Sequence, residues 1–158
     1  MPCEGVFRVS VLTVNLAENS YEIVIERGAL ALLGPRCRAL GLKGVAAVIS
    51  NPTVAALYGS AVRESLEAAG FTVAQIEIPD GEEYKNSATL NQLYDDLLAA
   101  GADRGSFAVA LGGGVVGDVA GYAAATWMRG IPFTGSYHSF SPGGQQCRRQ
   151  DGHRSPQG

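Results

Sequence analysis

Three short stretches of this 158-residue sequence carry residues whose types and spacing could do chemistry: "ISNPTV", "PDGEEYKNS" and "AVALGGGVVGDVAG". The third sets three glycines between an apolar run and a helical pattern. Backbone N–H groups are left bare there at the positive end of a helix dipole, an arrangement suited to a pyrophosphate or, more simply, to a tight turn. Gly117 and Gly121 allow close approach of helix to sheet or ligand. Asp118 falls in the first helical turns, where a carboxylate either serves the dipole or accepts a bond from a ligand hydroxyl. The spacing is not the GxGxxG fingerprint of ordinary dehydrogenases. In the second stretch Asp80 and Gly81 form a turn pair, while Glu82 and Lys85 put an acceptor and a cation on one loop. They either hold ribose hydroxyls or make a solvated charged turn. Asn51 either binds a nucleotide or caps the next helix. Arg129 either complements a helix C-terminus or clamps an anion.

The elements around these residues alternate. "FRVSVLTV" and "YEIVIERG" have a period of two and predict a hairpin. "LGPRCRALG" predicts a helix ending at Gly41, "GVAAVIS" a buried strand, and "VAALYGSAVRESLEAAG" a second helix. "FTVAQIEI" predicts the next strand. Asn86 or Ser87 then caps "ATLNQLYDDLLAAG", with Leu90, Leu93, Tyr94, Leu97 and Leu98 as its apolar stripe. "SFAVAL" is a strand, "VAGYAAATWMRG" the helix after the glycine turn, and "IPF" a strand just starting. This alternation predicts an α/β fold, a Rossmann-like, mostly parallel sheet with helices on both faces. Ligands of such sheets sit beyond the carboxyl ends of the strands, where the three stretches fall.

Composition narrows the function. Hydrophobic residues make up 46%, enough for one domain's core, and the formal charge is −3. The three arginines and one aspartate after Phe133 leave residues 1–133 at −5, which argues against a nucleic-acid partner. Cys3, Cys37 and Cys147 have no CxxC spacing, so neither a disulfide framework nor a zinc knuckle is implied. The N-terminal "MPCEGVFRVS" has no leader pattern, and no stretch approaches the roughly 18 apolar residues of a membrane span. The expectation is a soluble, cytoplasmic protein that engages no membrane.

The stretches "SNPTVAALY", "PDGEEYK" and "LGGGVVGDVAGYAAATWMRGIPF" together resemble the N-terminal, nucleotide-binding domain of the 3-dehydroquinate synthase family of sugar phosphate cyclases, over about Val9 to Phe133. The resemblance implies NAD as cofactor, a divalent zinc or cobalt ion, and conversion of 3-deoxy-D-arabino-heptulosonate 7-phosphate to 3-dehydroquinate and phosphate in the shikimate pathway. It assigns Asn51, Asp80, Gly81, Glu82, Lys85, Gly113, Gly114, Val115, Val116, Gly117 and Asp118 to NAD. Asp118 and Arg129 would face the nicotinamide and substrate region. It also implies a homodimer. Alternatives are a non-catalytic NAD-binding module, another sugar phosphate cyclase, or a glycerol-dehydrogenase-like enzyme.

The family's pattern breaks at Phe133. From Thr134 to Gly158 there is no Ala, Val, Ile, Leu or Met, so a domain of residues 1–133 and a disordered tail of 134–158 are expected. The family continues with a segment much like "QVPTTLLAQVDSSVGGKTG" and a helical domain carrying a Glu and two His as metal ligands. His138 and His153 match neither. Codons that can encode "SYHSFSPGGQQCRRQDGH", with one preceding base pattern from Gly135, read in the neighbouring frame as "VPTTLLAQVDSSVGGKTG". The tail therefore reads as out-of-frame translation, and the chain as a fragment lacking its metal ligands, with no cyclase activity of its own.

Overall fold

Short apolar runs and longer amphipathic stretches fold as the alternation dictates, in a computed structural model that describes residues 10–17, 20–138 and 145–150. Strands β1 (Ser10–Val14) and β2 (Tyr21–Ile25) form the antiparallel hairpin, with Ser10 opposite Ile25. Then follow α1 (Leu33–Ala39), β3 (Val45–Ser50), α2 (Pro52–Ala68), β4 (Thr72–Glu77), α3 (Ser87–Ala99), β5 (Phe107–Leu111), α4 (Gly114–Thr126), β6 (Phe133–His138) and β7 (Gln145–Gln150). One seven-stranded sheet results, in the order β1-β2-β7-β6-β5-β3-β4.

Its functional half is parallel. β4, β3, β5 and β6 run parallel, and the chain crosses over through α2, α3 and α4. β5 is apolar along its whole length and β3 as far as Ile49, because both faces are covered. Ala46 and Val48 face one cluster and Ala47 and Ile49 the other, all at most 2% exposed. On β5, Phe107, Val109 and Leu111 meet α1 and α2 through Leu33, Cys37, Val62 and Leu66. Ala108 and Ala110 sit beneath α3 and α4, beside Leu93, Leu97, Val116, Ala120 and Ala123. Helices thus cover both faces, and small residues on β5 match the Ala-rich inner side of α4.

Helix α1 lies so close to α2 that a Cβ on Gly34 would stand 1.9 Å from the Ser65 carbonyl oxygen. The Ser65 hydroxyl fills the remaining gap. It accepts from the Gly34 N–H at 3.0 Å and donates to the Ala31 carbonyl at 2.8 Å. No helix among the described residues is long and apolar enough to cross a membrane.

One expectation is corrected. Leu98 is 66% exposed and leaves the α3 stripe, which consists of buried Leu93 and Leu97 with partly buried Leu90 and Tyr94. Two further strands are described beyond Ile131. β6 runs to His138 along the open side of β5, and β7 pairs with both β6 and β2. A strand is held by backbone hydrogen bonds, so β5 can recruit a partner whose side chains carry no apolar pattern. Residues 139–144 and 151–158 of the expected tail lie outside the described residues.

Candidate functional site

Going out from β3 the chain turns first to β4 on one side and then, through α3, to β5 on the other. The strand order therefore reverses between β3 and β5, and a crevice opens beyond their carboxyl ends. Its floor is stiff, because the Ser50 hydroxyl, at the end of β3, donates to the Leu111 carbonyl at the end of β5 at 2.6 Å. Asn51 follows Ser50 and caps α2, its Oδ1 accepting from the Val54 N–H at 2.8 Å with Pro52 in the first turn.

The glycine turn follows β5. A Cβ on Gly112 would meet Val116 Cγ2 at 2.9 Å, so that glycine is required by packing. Around Gly113 and Gly114 nothing lies within 4 Å of such a Cβ, and no side chain caps α4. The first N–H groups of α4 therefore have no side-chain cap. Val116 is buried and Val115 partly so, which leaves their backbone N–H groups as what they can offer a ligand. Gly117 is buried and its N–H already donates to the Gly113 carbonyl at 2.9 Å, so it serves the helix.

The third loop folds back onto α4. After exposed Asp80 and half-buried Gly81 (φ 130°), a 3-10 turn spans Glu82–Tyr84, and Asn86 caps α3 by accepting from the Thr89 N–H at 2.9 Å. Lys85 Nζ lies 2.8 Å from Asp118 Oδ2 and 3.0 Å from Glu82 Oε2. The Asp118 hydrogen bond, and after it that of Glu82, raises the Lys85 pKa above its ordinary value. Beside this bridge Asn86, Ser87, Leu90, Val119 and Tyr122 line a cleft of about 340 Å³. None of these five was singled out for binding from the sequence. The signal available was the four-residue step from Asp118 to Tyr122.

Arg129 is not brought to this cluster. It lies past the far end of the 13-residue α4, about 20 Å by helix rise from Gly114. Met128 (φ 51°) and Arg129 (φ 71°) are left-handed, followed by Gly130 (φ 104°). Trp127 anchors the turn, stacking on Tyr94 with centroids 5.8 Å apart and donating from Nε1 to the Ala102 carbonyl. A separate cavity of about 440 Å³, between β2 and α1, is lined by Tyr21, Glu22, Arg36 and Cys37 and holds none of the sequence-predicted site residues.

Residues 75–137, which include the second and third loops, match the family model described as 3-dehydroquinate synthase N-terminal. This segment belongs to the 3-dehydroquinate synthase family. The chain is 62% identical over 125 residues to the 3-dehydroquinate synthase of Pelobacter propionicus, covering 79% of this chain and 35% of that protein. It is 57% identical over 122 residues to that of Citrifermentans bemidjiense, covering 77% and 34%. The chain thus spans about a third of the length of the curated relatives it matches. Among solved structures, 2-deoxy-scyllo-inosose synthase complexed with carbaglucose-6-phosphate, NAD+ and Co2+ superposes with a TM-score of 0.68 at 25% identity, over 78% of this chain and 33% of that one. The 2-epi-5-epi-valiolone synthase of Streptomyces hygroscopicus with NAD+ and Zn2+ gives 0.54 at 28%, over 61% and 27%.

Proposed function

We propose that this chain is the NAD-binding portion of a 3-dehydroquinate synthase, which converts 3-deoxy-D-arabino-heptulosonate 7-phosphate to 3-dehydroquinate and phosphate. The observation that carries the reading is Lys85 bridging Glu82 and Asp118 beside an uncapped glycine turn. The open space over Gly113 and Gly114 admits a pyrophosphate to the N–H groups of Gly114, Val115 and Val116. Glu82, Lys85 and Asp118 take ribose hydroxyls, and the amide nitrogen of Asn51 closes the other side of the crevice. Asp80 and Gly81 shape the approach, and Gly117 supports the helix from within.

NAD, when bound, supplies a reversible hydride acceptor for a substrate carbinol; the chain's own residues hold and orient it. Among the described residues no group of three or more His, Cys, Asp or Glu could hold a metal ion, so no step through zinc or cobalt is derived for this chain. Arg129 is assigned to substrate only where another part of the protein, or its homodimer partner, brings a site to the far end of α4. The reaction is placed in the shikimate pathway and in the cytoplasm. Residues 134–158 are read as an out-of-frame translation, and the fragment as inactive.

Calorimetric titration with NAD, together with a phosphate-release assay containing the keto acid phosphate, NAD and zinc, tests this. Binding without phosphate release is expected. Absence of NAD binding would overturn the cofactor reading, and phosphate release would overturn the inactive-fragment reading. Resequencing the gene across the Phe133 codon tests the frame: the neighbouring frame is expected to encode "QVPTTLLAQVDSSVGGKTG", and its absence would make the tail authentic.

A further inference from the structure

Gly114, Asp118 and Tyr122 step by four residues along α4 and therefore share one face of it. All three are exposed, Tyr122 at 60%. Tyr122 lines the cleft with Leu90 and Val119, next to Lys85 and Asp118. Two carboxylates and one ammonium meet there, so the bridge carries a net charge of about −1 at neutral pH.

We propose that Tyr122 is a further cofactor-binding residue, whose ring packs against the nicotinamide ring of NAD and favours its oxidised, cationic form. The proposal rests on the NAD reading above. With the pyrophosphate at the start of α4 and a ribose at Asp118, the next group of the dinucleotide is a planar ring. Two helical turns on, about 12 Å from Gly114 along the axis, stands Tyr122. The wall offers a flat aromatic face, two aliphatic side chains and a negative neighbourhood. Of the two rings of the dinucleotide, adenine is neutral and oxidised nicotinamide is a pyridinium cation. Attraction of a cation to the face of an aromatic ring, added to the field of Asp118 and Glu82, selects the nicotinamide.

The test is calorimetric titration of the full chain and its Tyr122→Ala and Tyr122→Phe variants with NAD+, NADH and ADP-ribose. Tyr122→Ala is expected to weaken NAD+ roughly three- to tenfold. ADP-ribose, which lacks the nicotinamide, should bind all three proteins equally, NADH should lose less than NAD+, and Tyr122→Phe should keep wild-type affinity. Equal melting temperatures of the three proteins check that the fold is intact. Unchanged NAD+ affinity in Tyr122→Ala would overturn the proposal, as would an equal loss for ADP-ribose, which would place the adenine on this wall. Either result leaves the NAD reading standing. Wild-type chain that binds none of the three ligands would overturn that reading and this one with it.

Discussion

Lys85 is where charge and geometry concentrate, and its behaviour with pH follows from the bridge. Its pKa is raised by the Asp118 and then the Glu82 hydrogen bonds. A lysine raised in the folded state contributes stability that is complete below its ordinary value of 10.5 and lost as pH rises through the folded value. The melting temperature of Lys85→Met should therefore lie below wild type at pH 8, and the gap should close in strongly alkaline buffer. A gap that persisted there would mean the Lys85 stem, not its charge, is what matters. On the acid side, the Ser106 hydroxyl and then the Gly105 N–H lower the Asp103 pKa. That contribution is present above 3.8 and lost as pH falls through the folded value, so Asp103→Ala should melt lower than wild type at pH 7 and converge with it in acid. The sequence supplied Lys85 and Asp118 as separate candidates, each with an ordinary surface role. Nothing in a linear pattern says that residues 33 apart will meet; the docking of α3 on α4 decides it. Arg129 stands past the other end of α4, separated from the glycine turn by the length of that helix.

At the scale of elements, two glycines separate packing from ligand access. Gly34→Ala would drive a methyl group into the Ser65 carbonyl and force α1 away from α2, destabilising the fold by about 3 kcal/mol in urea unfolding. Gly113→Ala meets open space and should change stability by no more than about 0.5 kcal/mol while weakening NAD binding, which calorimetry would read. Equal losses in both measurements would show that the turn is merely structural. Met128→Gly should raise unfolding stability by about 1 kcal/mol, because φ 51° suits glycine better than methionine. Most helices and strands were legible, since β3 and β5 are continuous apolar runs and Asn51 and Asn86 announce the starts of α2 and α3. The turn at Met128–Arg129 was not, because long side chains carry no signal for a left-handed backbone. Leu98 misled for a simpler reason: a stripe with one leucine too many looks wider than the face that is buried.

The whole molecule is a sheet of two characters joined at β6. Its parallel half was readable from alternation alone. Attachment of the hairpin through β7 was not, because that strand is held by ladder bonds rather than by an apolar pattern. β3 is flanked on both sides by parallel partners and covered on both faces, whereas β4 and β1 lie at the sheet's edges. Amide hydrogen exchange should therefore be slowest in β3 and β5 and fastest in β1 and β4; uniform exchange would mean that the sheet does not behave as a graded unit. The indole of Trp127 adds something practical. It is the only tryptophan in the sequence, and it is partly buried, stacked on a tyrosine and hydrogen-bonded to a loop carbonyl. The protein thus carries an intrinsic fluorophore at the seam between α3 and α4. A red shift of its emission would report loosening of that seam without any label.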